Sequence, residues 1–315
     1  MGKRKVVLVG TGFVGMSMAY SMLNTGGIDE LVLIDIDREK TIGEEMDLAH
    51  GLAFAPQKME VKAGDYSECK DAKIVVITAG VTMKDGKQTR LELCQKNVQI
   101  LKQVTENIMK SGFDGIIVVA SNPVDIMTAV VQKLSKLPTN RVIGSGTSLD
   151  TARFRYLLAK YFDISPKNVH AYIMGEHGDS SFVSWEHTYI GCKKILDTIK
   201  DNSKYNLEEV IKLHQQVVNA AYEIIEKKRA TYYGIGMALN TLVKSILNNE
   251  NNIMTVSTYL DGQYGQKGIY IGVPAVININ GVKEILELDL NQKDRKKLDN
   301  SVNILKSTIN EKYKL

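Results

Sequence analysis

Val6-Val7-Leu8-Val9 runs directly into Gly10-Thr11-Gly12-Phe13-Val14-Gly15, and a second apolar run, Leu31-Val32-Leu33-Ile34, ends in Asp35 about twenty residues later. The glycines fall where a strand would turn sharply into a helix. Gly10 permits the turn, Gly12 lets backbone approach a pyrophosphate, and Gly15 lets the helix pack close with its N-terminus facing the phosphates. Such glycines alone also mark ordinary turns; with a strand before, a helix after and a distal carboxylate they point to a dinucleotide-binding βαβ unit. Asp35 bears on which dinucleotide. A carboxylate accepts hydrogen bonds from a ribose 2′-hydroxyl and repels a 2′-phosphate, so NAD is expected over NADP, an expectation that nearby Arg38 weakens only slightly.

Ile74-Val75-Val76-Ile77-Thr78-Ala79-Gly80 and Ile116-Ile117-Val118-Val119-Ala120-Ser121 read as further short apolar strands separated by helix-periodic segments. That alternation predicts a parallel, doubly wound sheet. Ligands bind outside the carboxyl ends of such strands, so Gly80, Val81, Ala120 and Asn122 should border the cofactor. Asn122-Pro123 dictates a non-helical turn at that edge and is open to a cis bond. Val142-Ile143-Gly144 reads as the last strand of this half. The pattern then changes to a long helix, about Ser148 to Tyr161, followed by a strand Val169-His170-Ala171-Tyr172-Ile173. The boundary is therefore set at 144/145, giving a Rossmann-type domain over 1–144 and an α+β substrate domain over 145–315. In the second, Leu207 to Lys228 predicts an amphipathic helix. Ile269–Val273 and Val276–Ile279 suggest an antiparallel pair around Pro274, and Gln292 to Leu315 a charged helix with a solvated face.

A chain of 315 residues is long enough for two domains and a large core. Its net charge of +4 is small and its cations are interspersed with acids. Neither nucleic acid nor a membrane surface is implied, which leaves small molecules as partners. Cys69, Cys94 and Cys192 are isolated, without a CxxC pair, and read as buried thiols in a reducing cytoplasm. No metal site is expected from cysteines so scattered, which disfavours a zinc-dependent dehydrogenase. Lys3-Arg4-Lys5 superficially resembles the start of a signal peptide, but the apolar run behind it is only about four residues long and ends in the phosphate loop. No apolar stretch is long enough to span a bilayer.

Hydride transfer to a small keto acid needs a fixed cation for the carboxylate, a proton donor for the carbonyl oxygen and a group that polarises that carbonyl. Leu149-Asp150-Thr151-Ala152-Arg153 places Asp150 and Arg153 three apart on one helix, so both side chains can leave the same face. Arg153 would suit a planar two-bond clamp; taken alone, the spacing is more often an ordinary ion pair. His177, in Gly175-Glu176-His177-Gly178-Asp179, is made accessible by flanking glycines, and a carboxylate such as Asp150 would orient its ring. The plainer reading is a loop histidine with no task. His50, His187 and His214 sit in helix-like or apolar contexts and read as surface or packing residues. The polar segment from Val81 to Arg90 reads as a lid, whose Arg90 would polarise the carbonyl on closure or else be simply an exposed cation.

Taken together, Gly10-Thr11-Gly12-Phe13-Val14-Gly15, Asp35, Asn122-Pro123-Val124-Asp125, Leu149-Asp150-Thr151-Ala152-Arg153-Phe154-Arg155, Gly175-Glu176-His177-Gly178-Asp179 and Ala230-Thr231-Tyr232-Tyr233-Gly234 closely resemble the bacterial-type L-lactate dehydrogenases of the lactate/malate dehydrogenase family. The resemblance spans nearly the whole chain, with the motifs in the family's order. It implies reversible reduction of pyruvate to L-lactate by NADH. His177 would be proton donor and acceptor, Asp150 its orienting partner, Arg153 the carboxylate clamp and Arg90 the lid arginine. Asn122 would touch substrate and cofactor, and Thr231 would line the substrate pocket. Val14, Lys40, Tyr66, Gly80, Val81 and Ser145 would join the glycine loop and Asp35 around NAD. The resemblance also implies a homotetramer.

One departure concerns specificity. Where lactate dehydrogenases of this family generally carry Gln and malate dehydrogenases Arg, this lid has Met83, in a segment lacking the usual Lys-Pro-Gly. Met83 offers no cation to a second carboxylate, which disfavours oxaloacetate, but leaves room for apolar side chains. Open alternatives are therefore a dehydrogenase for bulkier aliphatic 2-keto acids, one for malate, and a catalytically silent NAD-binding protein on the same fold. Arg155, two residues beyond Arg153, should face away from the substrate. Arg155 and His170 match positions that in bacterial lactate dehydrogenases bind fructose 1,6-bisphosphate at a subunit interface; the plain alternative is two unrelated surface cations.

Overall fold

The computed structural model describes residues 2–81 and 90–312. Short, predominantly apolar segments form the centre of the molecule because a strand buried on both faces has no use for alternation. These are β1 (Lys5–Val9), β2 (Glu30–Ile34), β4 (Ile74–Ile77), β5 (Ile116–Val119) and β6 (Val142–Gly144), with the half-buried β3 (Glu60–Ala63) at the edge. They pair in parallel in the order β3-β2-β1-β4-β5-β6, with Val7 opposite both Val32 and Val75. The crossovers are α1 (Phe13–Thr25), α2 (Arg38–Gly51), α3 (Arg90–Lys110) and α4 (Val124–Ser135), and apolar cores lie on both faces of the sheet. This is the doubly wound arrangement that the sequence predicts.

The second half begins with α5 (Ser148–Phe162). The short pairs β7 (Val169–His170) and β8 (Ile173–Met174), β9 (Phe182–Val183), β10 (Tyr189–Ile190) and β11 (Lys193–Lys194) follow, then α6 (Ile195–Lys200), α7 (Leu207–Lys228) and α8 (Tyr233–Leu247). β12 (Asn252–Asp261), β13 (Lys267–Asn278) and β14 (Gly281–Ile285) then extend the main sheet antiparallel, joining it where Ser257 faces Gly144. The closing helix is α9 (Gln292–Lys312). A third apolar cluster fills the space around α5 and α7, with Phe154, Leu158, Val210 and Val217.

Three expectations need correction, and one strand, β12, is not foreseen at all. The strand foreseen over 169–173 is two short ones in different sheets, β7 beside β10 and β8 beside β9. The expected pair around Pro274 is one continuous strand, β13. The Pro274 carbonyl accepts from Leu286 N–H at 2.9 Å on the side where β14 is ending, so the missing N–H interrupts no bond to β12. β12 is not evident from apolar pattern because Thr255, Ser257 and Thr258, at its centre, are polar and buried. Finally, Cys192 is exposed, whereas Cys69 and Cys94 are buried as expected, and none of the three forms a disulfide. Among the described residues no helix is long and apolar enough to cross a membrane.

Candidate active site

Gly10 sits at φ +106°, and a Cβ on Gly15 would stand 2.1 Å from the Gly10 carbonyl oxygen, so neither position tolerates a side chain. A Cβ on Gly12 would meet nothing within 4 Å. That open space, at the N-terminus of α1, is where a pyrophosphate would approach backbone. Asp35 closes the loop from the next strand: its Oδ2 accepts from Thr11 N–H at 2.7 Å and Thr11 Oγ1 at 3.1 Å, and its Oδ1 from Asp37 N–H at 3.2 Å. Burial would raise its pKa, but these bonds outweigh it and hold the carboxyl below its usual range. Lys40 Nζ donates to the Thr11 carbonyl at 2.6 Å. The residues fit a dinucleotide: a bare turn with room above it, a helix N-terminus behind it and an ionised carboxylate at the second strand.

The neighbouring strand ends are tied together by a residue that sequence reading did not single out. Buried Asn97 on α3 accepts from Val81 N–H at 2.8 Å and donates to the Asn122 carbonyl at 2.8 Å. Its signal was an amide within the buried stripe of Cys94, Leu101, Val104 and Ile108. Asn122-Pro123 is a cis bond. Ser145 is buried, and its N–H donates to the Val119 carbonyl at 2.8 Å. Val14, Tyr66 and Ala120 are half-buried, and Gly80, Val81 and Asn122 are exposed.

Across the carboxyl edge, His177 Nδ1 lies 2.6 Å from Asp150 Oδ2, and Arg153 Nη1 lies 3.1 Å from Asp150 Oδ1. The i, i+3 spacing on α5 therefore gives both the ion pair and a shared site. Burial would lower the His177 pKa, but the charge and hydrogen bond of Asp150 outweigh that and hold it above the usual imidazole value. Burial acts on Asp150 in the opposite sense, and His177 and Arg153 keep its carboxyl below the usual range. His177 keeps 29% of its side chain exposed, enough to meet a ligand. The three residues open on a cleft of about 140 Å³ whose far wall is Val217, Val218 and Ala221 of α7. Those apolar residues were not singled out in sequence either; they look like ordinary helix packing. A larger hollow of about 940 Å³ lies at the opposite, amino edge of the sheet beside Lys3, Arg4 and Lys73, remote from these groups.

The structure does not gather every expected residue. Thr231 is half-buried in the turn between α7 and α8 and is not among the walls of the cleft. Arg90 opens α3, while Met83 lies outside the described residues. Arg155 turns away from the cleft, its Nε donating to the Ala171 carbonyl at 3.1 Å and its guanidinium 5.4 Å from the Tyr172 ring centroid. His170 is exposed nearby in sequence on β7. His187 bonds Ser184, and His214 packs edge-on to Phe154, as structural histidines do.

A dinucleotide loop facing a histidine, a carboxylate and an arginine across the carboxyl edge of a parallel sheet defines an NAD-dependent oxidoreductase. Residues 4–144 match the lactate/malate dehydrogenase NAD-binding domain, and residues 147–315 the lactate/malate dehydrogenase α/β C-terminal domain. The chain belongs to the lactate/malate dehydrogenase family. It is 54% identical over 98% of both chains to L-lactate dehydrogenase 2 of Bacillus anthracis. Among solved structures it is similar to a lactate dehydrogenase from a Medee basin deep-sea metagenome library, with TM-score 0.96 and 54% identity over 98% of this chain and 99% of that one. It is also similar to the ligand-bound minor L-lactate dehydrogenase of Enterococcus mundtii, with TM-score 0.96 and 48% identity over 98% of each.

Proposed function

We propose that this protein is an NAD-dependent L-lactate dehydrogenase, reducing pyruvate to L-lactate reversibly. The observation that carries the reading is the 2.6 Å contact between His177 and Asp150 in a cleft that also holds Arg153. A nicotinamide dinucleotide held by the Gly10–Gly15 loop and Asp35 would supply the hydride. Asp150 holds the Nδ1 proton of His177, so the other ring nitrogen, Nε2, gives a proton to the carbonyl oxygen as the alcohol forms and takes it back in the reverse direction. The negative charge of Asp150 stabilises the imidazolium, and Arg153 forks the substrate carboxylate. Arg90 is assigned the polarising of the carbonyl and Asn122 contact with both substrate and cofactor. Gly10, Gly12, Val14, Gly15, Asp35, Lys40, Tyr66, Gly80, Val81, Ala120 and Ser145 are assigned to NAD, and Thr231 and Met83 to the substrate.

A second reading, toward bulkier aliphatic 2-keto acids, is favoured by the apolar wall of Val217, Val218 and Ala221. The division at 144/145, a homotetramer responsive to fructose 1,6-bisphosphate through Arg155 and His170, and a cytoplasmic location complete the proposal. Its test is His177→Asn, which should keep NADH binding and lose roughly two to four powers of ten in turnover. Wild-type turnover in that variant would remove His177 from the chemistry. NADH oxidation across pyruvate, 2-ketobutyrate, 2-ketoisocaproate and oxaloacetate separates the two substrate readings.

A further inference from the structure

Asp125 is 3% exposed on the first turn of α4, and among the described residues no lysine or arginine pairs with it. A buried carboxylate without a cation is expensive and holds its place through hydrogen bonds. Asp125 has two. Its Oδ2 accepts from the His177 backbone N–H at 2.9 Å and its Oδ1 from Ser257 Oγ, on β12, at 2.6 Å. His177 is thus gripped by two carboxylates from different helices: Asp150 of α5 on the ring and Asp125 of α4 on the peptide.

We infer that Asp125 is a positioning residue, whose carboxylate fixes the peptide of His177 so that the imidazole stands where Asp150 can hold Nδ1. The geometry explains why a loop flanked by glycines can present a histidine in one place. Gly175 at φ +100° leaves the loop little intrinsic preference, so the position of residue 177 must come from outside it. Gly175 itself pairs with Gly272 of β13, Glu176 N–H donates to Ser301 Oγ on α9 at 2.6 Å, and His177 N–H donates to Asp125. Three successive residues are pinned to three elements, and the last pin is the only one carrying charge. The charged groups facing Asp125 are His177 and Glu176 from the loop; Ser257 from β12 is neutral, and Asp150 and Arg153 of α5 act on the same imidazole. Because α4 also follows directly on Asn122-Pro123, one helix start sets both the cofactor edge and the proton donor.

The inference rests on the role proposed for His177, and the test keeps the two apart. Asp125→Ala should lower kcat for pyruvate reduction roughly tenfold to a hundredfold, the scale of a misplacement near 1 Å, with NADH affinity unchanged within about twofold. Asp125→Asn keeps an acceptor and the shape, and should recover most of that loss. It removes a negative charge near the imidazole, so the alkaline limb of the pH profile moves to lower pH. NMR titration of the His177 ring, assigned by its loss in His177→Asn, should show the same downward shift without reference to turnover. Asp125→Ala at wild-type kcat overturns the inference, as does a His177 titration unmoved in Asp125→Asn; the latter decides the matter even if the alanine variant does not fold. Full activity in His177→Asn would instead strike the proposed function, whatever the ring titration shows.

Discussion

Both oxygens of the Asp35 carboxylate accept bonds from its own chain, three in all from Thr11 and Asp37, so the group that would meet a ribose is first an organiser of the phosphate loop. Asp35→Ser should therefore loosen NADH binding while narrowing the preference over NADPH, on the order of tenfold. That is a modest fraction of the repulsion between unit charges about 4 Å apart near a protein surface. Equal catalytic efficiency of the unmodified protein with both cofactors would count against the role of Asp35. Asp125 makes a second prediction at this scale. Burial pushes its carboxyl up to about 6 from 3.8, so the folded state holds the proton more tightly than the unfolded chain. The associated stability is fully present below the ordinary carboxyl pKa and falls as pH rises toward 6, by about 3 kcal/mol for a shift of some two units. Asp125→Asn, which cannot ionise, should gain on the wild type by up to that amount between about pH 4 and pH 7. Urea denaturation of both proteins across that range checks it, and parallel stability curves would refute it.

At the scale of elements, the cofactor helix and the substrate side of the molecule are locked by a close approach. A Cβ on Gly236 of α8 would stand 2.7 Å from the Ser17 backbone of α1. Gly236→Val should destabilise the protein by about 1–3 kcal/mol, as overpacking usually does, and weaken NADH binding because α1 carries the phosphate loop at its start. Unchanged urea midpoint and NADH affinity would show that the helices part freely. Which elements were legible in sequence follows from what each buries. β1, β2, β4, β5 and β6 bury apolar side chains on both faces and announce themselves, as does α7 through its period. β12 announces nothing, because it buries hydroxyls that have partners: Thr255 meets Thr151 at 2.8 Å and Ser257 meets Asp125. The candidate site divides in the same way. His177, Asp150 and Arg153 stand in recognisable local motifs whose spacing suggests their role, whereas Asn97, and Asp125 although it ends the motif Asn122-Pro123-Val124-Asp125, act through contacts 16 to 132 residues away, and the wall on α7 is a face that looks like packing.

At the scale of the whole molecule, Arg155 and His170 remain outside the cleft. Burial lowers the Arg155 pKa, and its guanidinium is already engaged with the Tyr172 ring and with the carbonyl of Ala171, next in the chain to His170. In the proposed tetramer a bisphosphate bridging such groups across an interface would relieve their repulsion and favour the tighter assembly. Fructose 1,6-bisphosphate should then lower the apparent KM for pyruvate, and Arg155→Gln or His170→Ala should weaken that effect with saturated turnover little changed. Pyruvate saturation curves measured with and without the effector, at about pH 6 and about pH 7.5, provide the check. Superimposed curves at both would leave Arg155 and His170 with no part in binding the effector.

The antiparallel seam between β6 and β12, where Ser257 faces Gly144, has a mechanical consequence. The strands that carry the cofactor loop and the later antiparallel strands are thereby joined in one continuous sheet. Substrate entry and product escape then fall to pieces mounted on its rim, such as α7, while the loop that bears His177, tied to β13, α9 and α4, keeps the proton donor in register with the sheet.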